Sequence, residues 1–232
     1  MSSYDAIAEL YDPWSASVVE DVAFYLQEAR RSGGPVVELG VGTGRIAVPI
    51  SADGIRIIGV DSSRGMLDVC ARRAALAGVA VDLRVGDLRE PPVTERVPLV
   101  ICPFRSLLHM HTDDDRLSVL AAAYELLTGG GRFVFDVFSP DAADIAQTND
   151  RWLEREPGIF ERAVWDESAR TLTLTVRDEE RETTMALAWL SPDEWRSLLE
   201  RAGFEIEACY GWFDRSPYMG REDTVWVAKR PG

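Results

Sequence analysis

Four short stretches of the chain carry residue types that could act together on one ligand. The first is Val36–Ile50, VVELGVGTGRIAVPI, in which Glu38 precedes Gly40, Gly42 and Gly44 at alternate positions. Glycine tolerates positive φ and lets a ligand approach bare backbone. A helix-like run from Ile46 follows, and the N–H groups of a helix N-terminus favour an anionic ligand group. The stretch reads as strand, tight turn and helix: a loop for a nucleotide-type cofactor, or an ordinary strand-to-helix turn. Asp61 ends a second apolar run, where one carboxylate can accept from two vicinal ribose hydroxyls. Gly86-Asp87-Leu88 follows a third run. There a second acid can accept from an adenine amino group, and the Leu88 N–H can donate to the ring. Cys102 to Arg105 follows a fourth run.

The glycine spacing discriminates between cofactors. A dinucleotide loop has G-x-G-x-x-G after a strand. Here the pattern is G-x-G-x-G, and Arg45 stands where the third glycine belongs. A nicotinamide-dependent oxidoreductase would share the turn and the acid after the second strand, but would leave Asp87-Leu88 unexplained.

Three further residue types bear on chemistry. Arg105 can bind a substrate carboxylate or phosphate bidentately, or pair with a local acid. His109 has an ordinary pKa near neutrality, so it is the candidate general base, or else a structural hydrogen-bonder that orients its loop. His109-x-His111 with Asp113 suggests no further ligand, and no metal is expected. Tyr4 and Tyr11 precede the glycine loop, where they either cover a ligand or pack against the next helix.

Alternating strands and helices must position these residues. Residues 3–31 read as helical in one or two pieces, with Ser3-Tyr4-Asp5 as a cap and Pro13 interrupting. Strands are expected at Val36–Leu39, Arg56–Val60, Val79–Val85, Pro98–Cys102 and Arg132–Phe138. Helices are expected at Gly44–Ala52, Arg64–Ala77 and Asp113–Leu127 between them. That alternation implies an α/β fold with a parallel sheet covered on both faces. In such a sheet, ligands bind at the carboxyl ends of the strands.

After Pro140 the pattern turns antiparallel: Ile159–Asp166, Thr171–Arg177 and Thr183–Leu190 alternate in the β manner with short turns between. Ser191-Pro192-Asp193-Glu194 then starts a helix, and Phe204–Gly211 and Thr224–Ala228 complete the sheet as an antiparallel hairpin. The expected organisation is an N-terminal helical cover over 1–34, a core over 35–140 and 190–232, and an antiparallel meander inserted at 141–189. The insertion's aromatic residues form its own core or line a pocket. Its edge suits a substrate lid or the surface of a homodimer.

Bulk properties exclude several classes. The 232 residues are 46% hydrophobic and 28% charged, ordinary for one globular domain with an elaboration. A net charge of −14 without any Lys/Arg-rich run argues against nucleic acid as a partner. The three cysteines, Cys70, Cys102 and Cys209, are neither a disulfide framework nor a zinc pattern. No apolar run reaches the ~18 residues that a membrane span needs, and no signal peptide opens the chain, so a cytoplasmic location is expected.

The motifs together resemble a family. E-L-G-x-G-x-G is similar to the first motif of class I S-adenosylmethionine-dependent methyltransferases, GVDSSRGML to the second and VGDLRE to the third. LSPDEWRSLLERAGFEIEACYG resembles the family's late helix and sixth strand. The segment from Pro103 to Met110, PFRSLLHM, resembles the N-S-x-x-H-L stretch of small-molecule, glycine N-methyltransferase-like members, with Arg105 at the Asn position. The resemblance implies a Rossmann-like, seven-stranded, mostly parallel sheet with helices on both faces, plus the small antiparallel insertion. It implies S-adenosyl-L-methionine as cofactor and S-adenosyl-L-homocysteine as product. The implied activity is methyl transfer to nitrogen or oxygen of a small molecule; a non-catalytic cofactor-binding protein is the alternative of another class. Carried onto this sequence, Asp61 holds the ribose, Met66 packs on adenine, Asp87 with Leu88 reads the adenine edge, and Glu38 with the Gly40–Gly44 turn holds the methionyl end. The cofactor candidates are thus Tyr11, Glu38, Gly40, Gly42, Gly44, Arg45, Asp61, Ser62, Met66, Gly86, Asp87, Leu88 and Cys102. The acceptor-side candidates are Tyr4, Arg105 and His109.

Overall fold

The computed structural model describes residues 3–220 and 222–232, without the side chains of Ser3 and Ala6. Five strands run parallel: β1 (Val36–Leu39), β2 (Ile57–Asp61), β3 (Asp82–Val85), β4 (Val97–Cys102) and β5 (Leu127–Phe138). Two more, β10 (Glu205–Tyr210) and β11 (Asp223–Lys229), close the sheet as an antiparallel hairpin. The order of the seven strands is β10-β11-β5-β4-β1-β2-β3. Successive side chains of a strand point to opposite faces. Val36, Leu99 and Ile101 therefore enter one core with α2 (Glu20–Ser32), α3 (Ala47–Ala52) and α4 (Arg64–Ala77). Val37, Val100 and Phe133 enter the other, with α5 (Asp113–Leu126) and α7 (Pro192–Arg201). Strands buried on both faces are continuous apolar runs for this reason.

Ahead of the sheet lie a 3-10 turn (Ser3–Ala6) and α1 (Ala8–Trp14), whose last turn contains Pro13. The cap expected from Ser3 rests on a side chain outside the described residues. Helix α3 is shorter than expected. Gly44, at φ 81°, still belongs to the turn, and regular helix begins only at Ala47. Strand β3 also starts late, because Gly78 is left-handed and the Val79 N–H is taken by the Ala74 carbonyl at the end of α4.

The insertion is a separate four-stranded antiparallel sheet. It contains β6 (Arg151–Glu156), β7 (Ile159–Asp166), β8 (Thr171–Arg177) and β9 (Glu182–Ala188). Only three of these strands were expected; β6 is charged and mostly exposed, so its sequence lacks alternation. A helix, α6 (Ala142–Thr148), precedes it and was likewise not expected. It buries no residue and stands on an Asp141–Asp144 capping box. The inner face of the second sheet, with Leu172, Leu174, Met185 and Leu187, joins the core that contains α5 and α7. No described helix is long and apolar enough to cross a membrane.

Candidate active site

The chain leaves β1 toward β2 and β3 on one side, then crosses to β4 and β5 on the other. A crevice forms where strand order reverses in this way. A cavity of about 660 Å³ stands there, above the carboxyl ends of the strands. Its floor is Gly40 and Gly42 after β1, Asp61 and Ser62 at the end of β2, Met66 of α4, Leu88 after β3 and Phe104–Ser106 after β4. Tyr4, Tyr11 and Trp14 of the N-terminal segment and Trp165, Leu172 and Met185 of the second sheet cover it.

At one end the backbone is bare. A Cβ on Gly40 (φ 77°) would stand 2.7 Å from Ser106 Oγ, while Gly42 (φ 53°) faces open space. The Gly42 N–H donates to Asp61 Oδ2 at 2.9 Å, and the Ser63 N–H donates to Asp61 Oδ1 at 2.8 Å. Burial raises the Asp61 pKa against these two bonds. An adjoining recess is lined by Tyr11, Glu38, Gly40, Gly42, Phe104 and Ser106. Glu38 is buried there, and among the described residues its Oε2 has no hydrogen-bond partner. Burial pushes its carboxyl well above the usual range, opposed by the nearby Arg45 charge.

Six cofactor candidates from the sequence do not line the large cavity, and two of them, Glu38 and Arg45, line the adjoining recess. Gly44 packs against Cys70 and Gly86 against Pro92, so both are small because a side chain lies where a Cβ would go. Arg45 is turned to Asp21, with its Nη2 2.6 Å from Asp21 Oδ2, and lies 4.8 Å from the Phe104 ring centre. Cys102 is fully buried in the core beneath the cleft. The Asp87 carboxylate accepts from Arg89: its backbone N–H at 2.8 Å, Nε at 3.0 Å and Nη2 at 2.6 Å. That pairing lowers the Asp87 pKa.

The other end of the cavity holds the acceptor-side candidates. Arg105 Nη2 donates to Asp223 Oδ1 at 2.8 Å, and its guanidinium lies 4.6 Å from the Phe138 ring centre. Of its two sequence readings, the pair with an acid is the one observed. His109 Nε2 is 2.8 Å from Tyr4 Oη, and Tyr4 Oη donates to Met185 Sδ at 3.1 Å. Burial, with His111 nearby, brings the His109 pKa down to about 4, so the ring is neutral and weakly basic at pH 7. His109 therefore fits the orienting reading better than the base reading.

Besides Asp223 and Glu161, which pair with arginines, sequence reasoning passed over two acids that line this end. Asp136 of β5 is buried and accepts from Tyr25 Oη (2.6 Å), Phe104 N–H (2.8 Å) and Arg105 N–H (3.1 Å). Its presence as the one acid in FVFDVF was a visible signal. Glu222 stands just before β11 and lines the cavity; nothing in its local sequence marks it.

The comparisons with known proteins fit this geometry. Residues 36–131 match the family described as "Methyltransferase domain". An uncharacterized methyltransferase of Geobacillus kaustophilus is 29% identical over 203 residues, 87% of this chain and 84% of that protein. The CcbJ methyltransferase from Streptomyces caelestis has a solved structure that superposes with a TM-score of 0.87 at 27% identity, covering 100% of this chain and 99% of the other. The chain is a class I S-adenosylmethionine-dependent methyltransferase. A third structure, the sugar N-methyltransferase KedS8 from Streptoalloteichus, shares the fold at 16% identity and a TM-score of 0.71, over 97% of this chain and 92% of the other.

The methyltransferase's own atoms suit this cofactor. The donor carries an ammonium and a sulfonium, and the orphaned, buried Oε2 of Glu38 is an acceptor awaiting a cationic or N–H donor. Bare backbone at Gly40 and Gly42 leaves room beside it, and Asp61 keeps lone pairs for hydroxyl donors.

Proposed function

We propose that the methyltransferase transfers a methyl group to the nitrogen of a small-molecule amine. The observation that carries this reading is the charge of the cavity wall. Among the described residues, both arginines lining it are paired, Arg105 with Asp223 at 2.8 Å and Arg155 with Glu161 at 3.4 Å. Asp136 and Glu222 remain as uncompensated carboxylates on the same wall. An anionic acceptor would meet repulsion there, and a cationic one attraction. The cover formed by the N-terminal segment and the second sheet favours a small acceptor over a polymer. The name of KedS8 as a sugar N-methyltransferase agrees with nitrogen as the target.

In this reading Glu38, Gly40 and Gly42 hold the methionyl end, Asp61 the ribose, and Ser62, Met66 and Leu88 the adenine, with Tyr11 above. Asp87 serves the adenine amino group only after leaving Arg89. Tyr4, His109 and Arg105 shape the acceptor end, with the cytoplasm as the compartment. S-adenosylmethionine supplies a methyl group already activated on sulfur. The protein's part is to align the acceptor and exclude water, a contribution of up to ~7–11 kcal/mol to the barrier.

Calorimetric titration with S-adenosylmethionine, S-adenosylhomocysteine and NAD, followed by an acceptor screen of amines, phenols and carboxylates, tests the proposal. Binding of the first two only, a drop of at least about tenfold with Asp61→Ala, and methylation confined to amines are expected. Methylation of phenols or carboxylates alone would refute the nitrogen reading, and full cofactor affinity in Asp61→Ala would refute the site.

A further inference from the structure

Among the described residues, one carboxylate on the cavity wall, that of Glu222, takes no part in internal bonding. Glu222 directly precedes β11, and its carbonyl accepts the Ser139 N–H at 2.9 Å. Because β11 pairs Asp223 with Phe138, this fixes Glu222 at the carboxyl end of the sheet, beside the acceptor part of the cavity. Among the described residues its carboxylate has neither a hydrogen bond nor an ion pair. Among the described residues the nearby cation, Arg105, is committed to Asp223 and held over Phe138. From α6 and its cap, Asp144 and Asp141 add negative charge, as does Asp223 of β11. A half-buried carboxylate in these surroundings is relieved by a proton or by a cation.

We propose that Glu222 receives the ammonium group of the acceptor and takes its proton, so that the amine enters methyl transfer neutral. The assignment rests on the amine reading above. An ammonium has no lone pair, so one N–H bond must break before nitrogen can react. The proton passes to a Glu222 oxygen, and the electron pair of that bond stays on nitrogen. Nitrogen then forms the bond to the methyl carbon as the carbon–sulfur bond breaks and its pair goes to sulfur. The product leaves as a methylated ammonium, and Glu222 returns its proton to water.

The other groups at this end are less suited. Both Asp136 oxygens accept internal donors. His109 holds a proton only below a pKa of about 4. Burial first, then the charges of Asp223, Asp144 and Asp141, push Glu222 up to about 7 against the opposing Arg105. A general base works best with a pKa near the working pH.

Phenethylamine and 2-phenylethanol have matched shapes and differ in the ammonium. Each is titrated calorimetrically into the protein saturated with S-adenosylhomocysteine, for wild type and Glu222→Gln. In wild type the amine should bind at least about tenfold tighter than the alcohol. Its affinity should rise between pH 6 and 8 as Glu222 ionises, since an alkylammonium stays protonated throughout that range. In Glu222→Gln the preference and the pH dependence should both vanish, with S-adenosylhomocysteine affinity unchanged as the check on folding. A preference that survives in Glu222→Gln overturns the role of Glu222 and leaves the amine reading standing. A wild type without preference, including one that binds neither ligand, overturns both.

Discussion

Asp136 ties the cofactor side of the cleft to the acceptor side. Its carboxylate takes the N–H groups of Phe104 and Arg105, successive residues at φ 55° and 62°. Left-handed backbone is uncommon for such residues and costs ~1–3 kcal/mol where the surroundings impose it. The clamp aims Phe104 at Tyr11, 6.2 Å between ring centres, and directs Arg105 to Asp223. Burial raises the Asp136 pKa from 3.8 to about 6, against the Tyr25 bond. The folded state therefore holds this proton more tightly than the unfolded chain. That stabilisation is complete below about pH 4 and is lost as pH rises through about 6. Asp136→Asn cannot titrate, so wild type should lose melting temperature relative to it between pH 4 and 6. The difference is on the order of 3 kcal/mol from about two pKa units. Parallel melting curves across that range would contradict the assignment.

At the scale of elements, the N-terminal segment is fastened by acids along one side. Asp5 accepts from Ser63 Oγ (2.7 Å) and Gly65 N–H (3.1 Å) at the start of α4. Glu9 pairs with Arg72, and Asp12 joins Arg73 to Thr43 Oγ1 in the glycine turn. On the other side Trp14 Nε1 donates to Glu161 of β7 at 3.1 Å, so the same segment supports the second sheet. Partly exposed pairs of this kind contribute ~0.2–1 kcal/mol each. Asp12→Ala removes two contacts and should speed dissociation of S-adenosylmethionine by about two- to fivefold, with little change in melting temperature. Stopped-flow displacement measures it, and an unchanged rate would mean that the segment does not restrain the cofactor.

For the whole molecule, the net charge of −14 acts on whatever approaches the cleft. Among the described residues, local pairs neutralise both cavity-wall arginines, so neither offsets the negative long-range field of the net charge. Such a field attracts cations and weakens as salt shortens the screening length, which is ~10 Å at 0.1 M. The kcat/KM for an amine acceptor should therefore fall several-fold between about 20 and 500 mM salt, while melting temperature changes little. A rate that is flat or rises with salt would argue for a neutral or anionic acceptor.

The sequence alone determined the parallel sheet, the glycine turn and the acid that ends β2, because these follow from local chemistry. Apolar runs mark strands buried on both faces, glycine permits the turn, and residues ending parallel strands share one cleft. Helix α6 was not read from the sequence, because its Asp141–Asp144 capping box has no apolar face beside it. Spacing could not say which way a small or charged residue faces. Gly44 and Gly86 look like loop glycines but make room for Cys70 and Pro92, and Asp87 spends its carboxylate on Arg89. Arg105 had two readings until the fold brought Asp223, 118 residues away in sequence, within 2.8 Å. Glu222 carries no signal of its own: it reaches the cavity because β11 runs antiparallel and starts where β5 ends. Direction and partnership across the sheet are long-range properties, and tertiary structure decided them because only folding sets distant charges side by side.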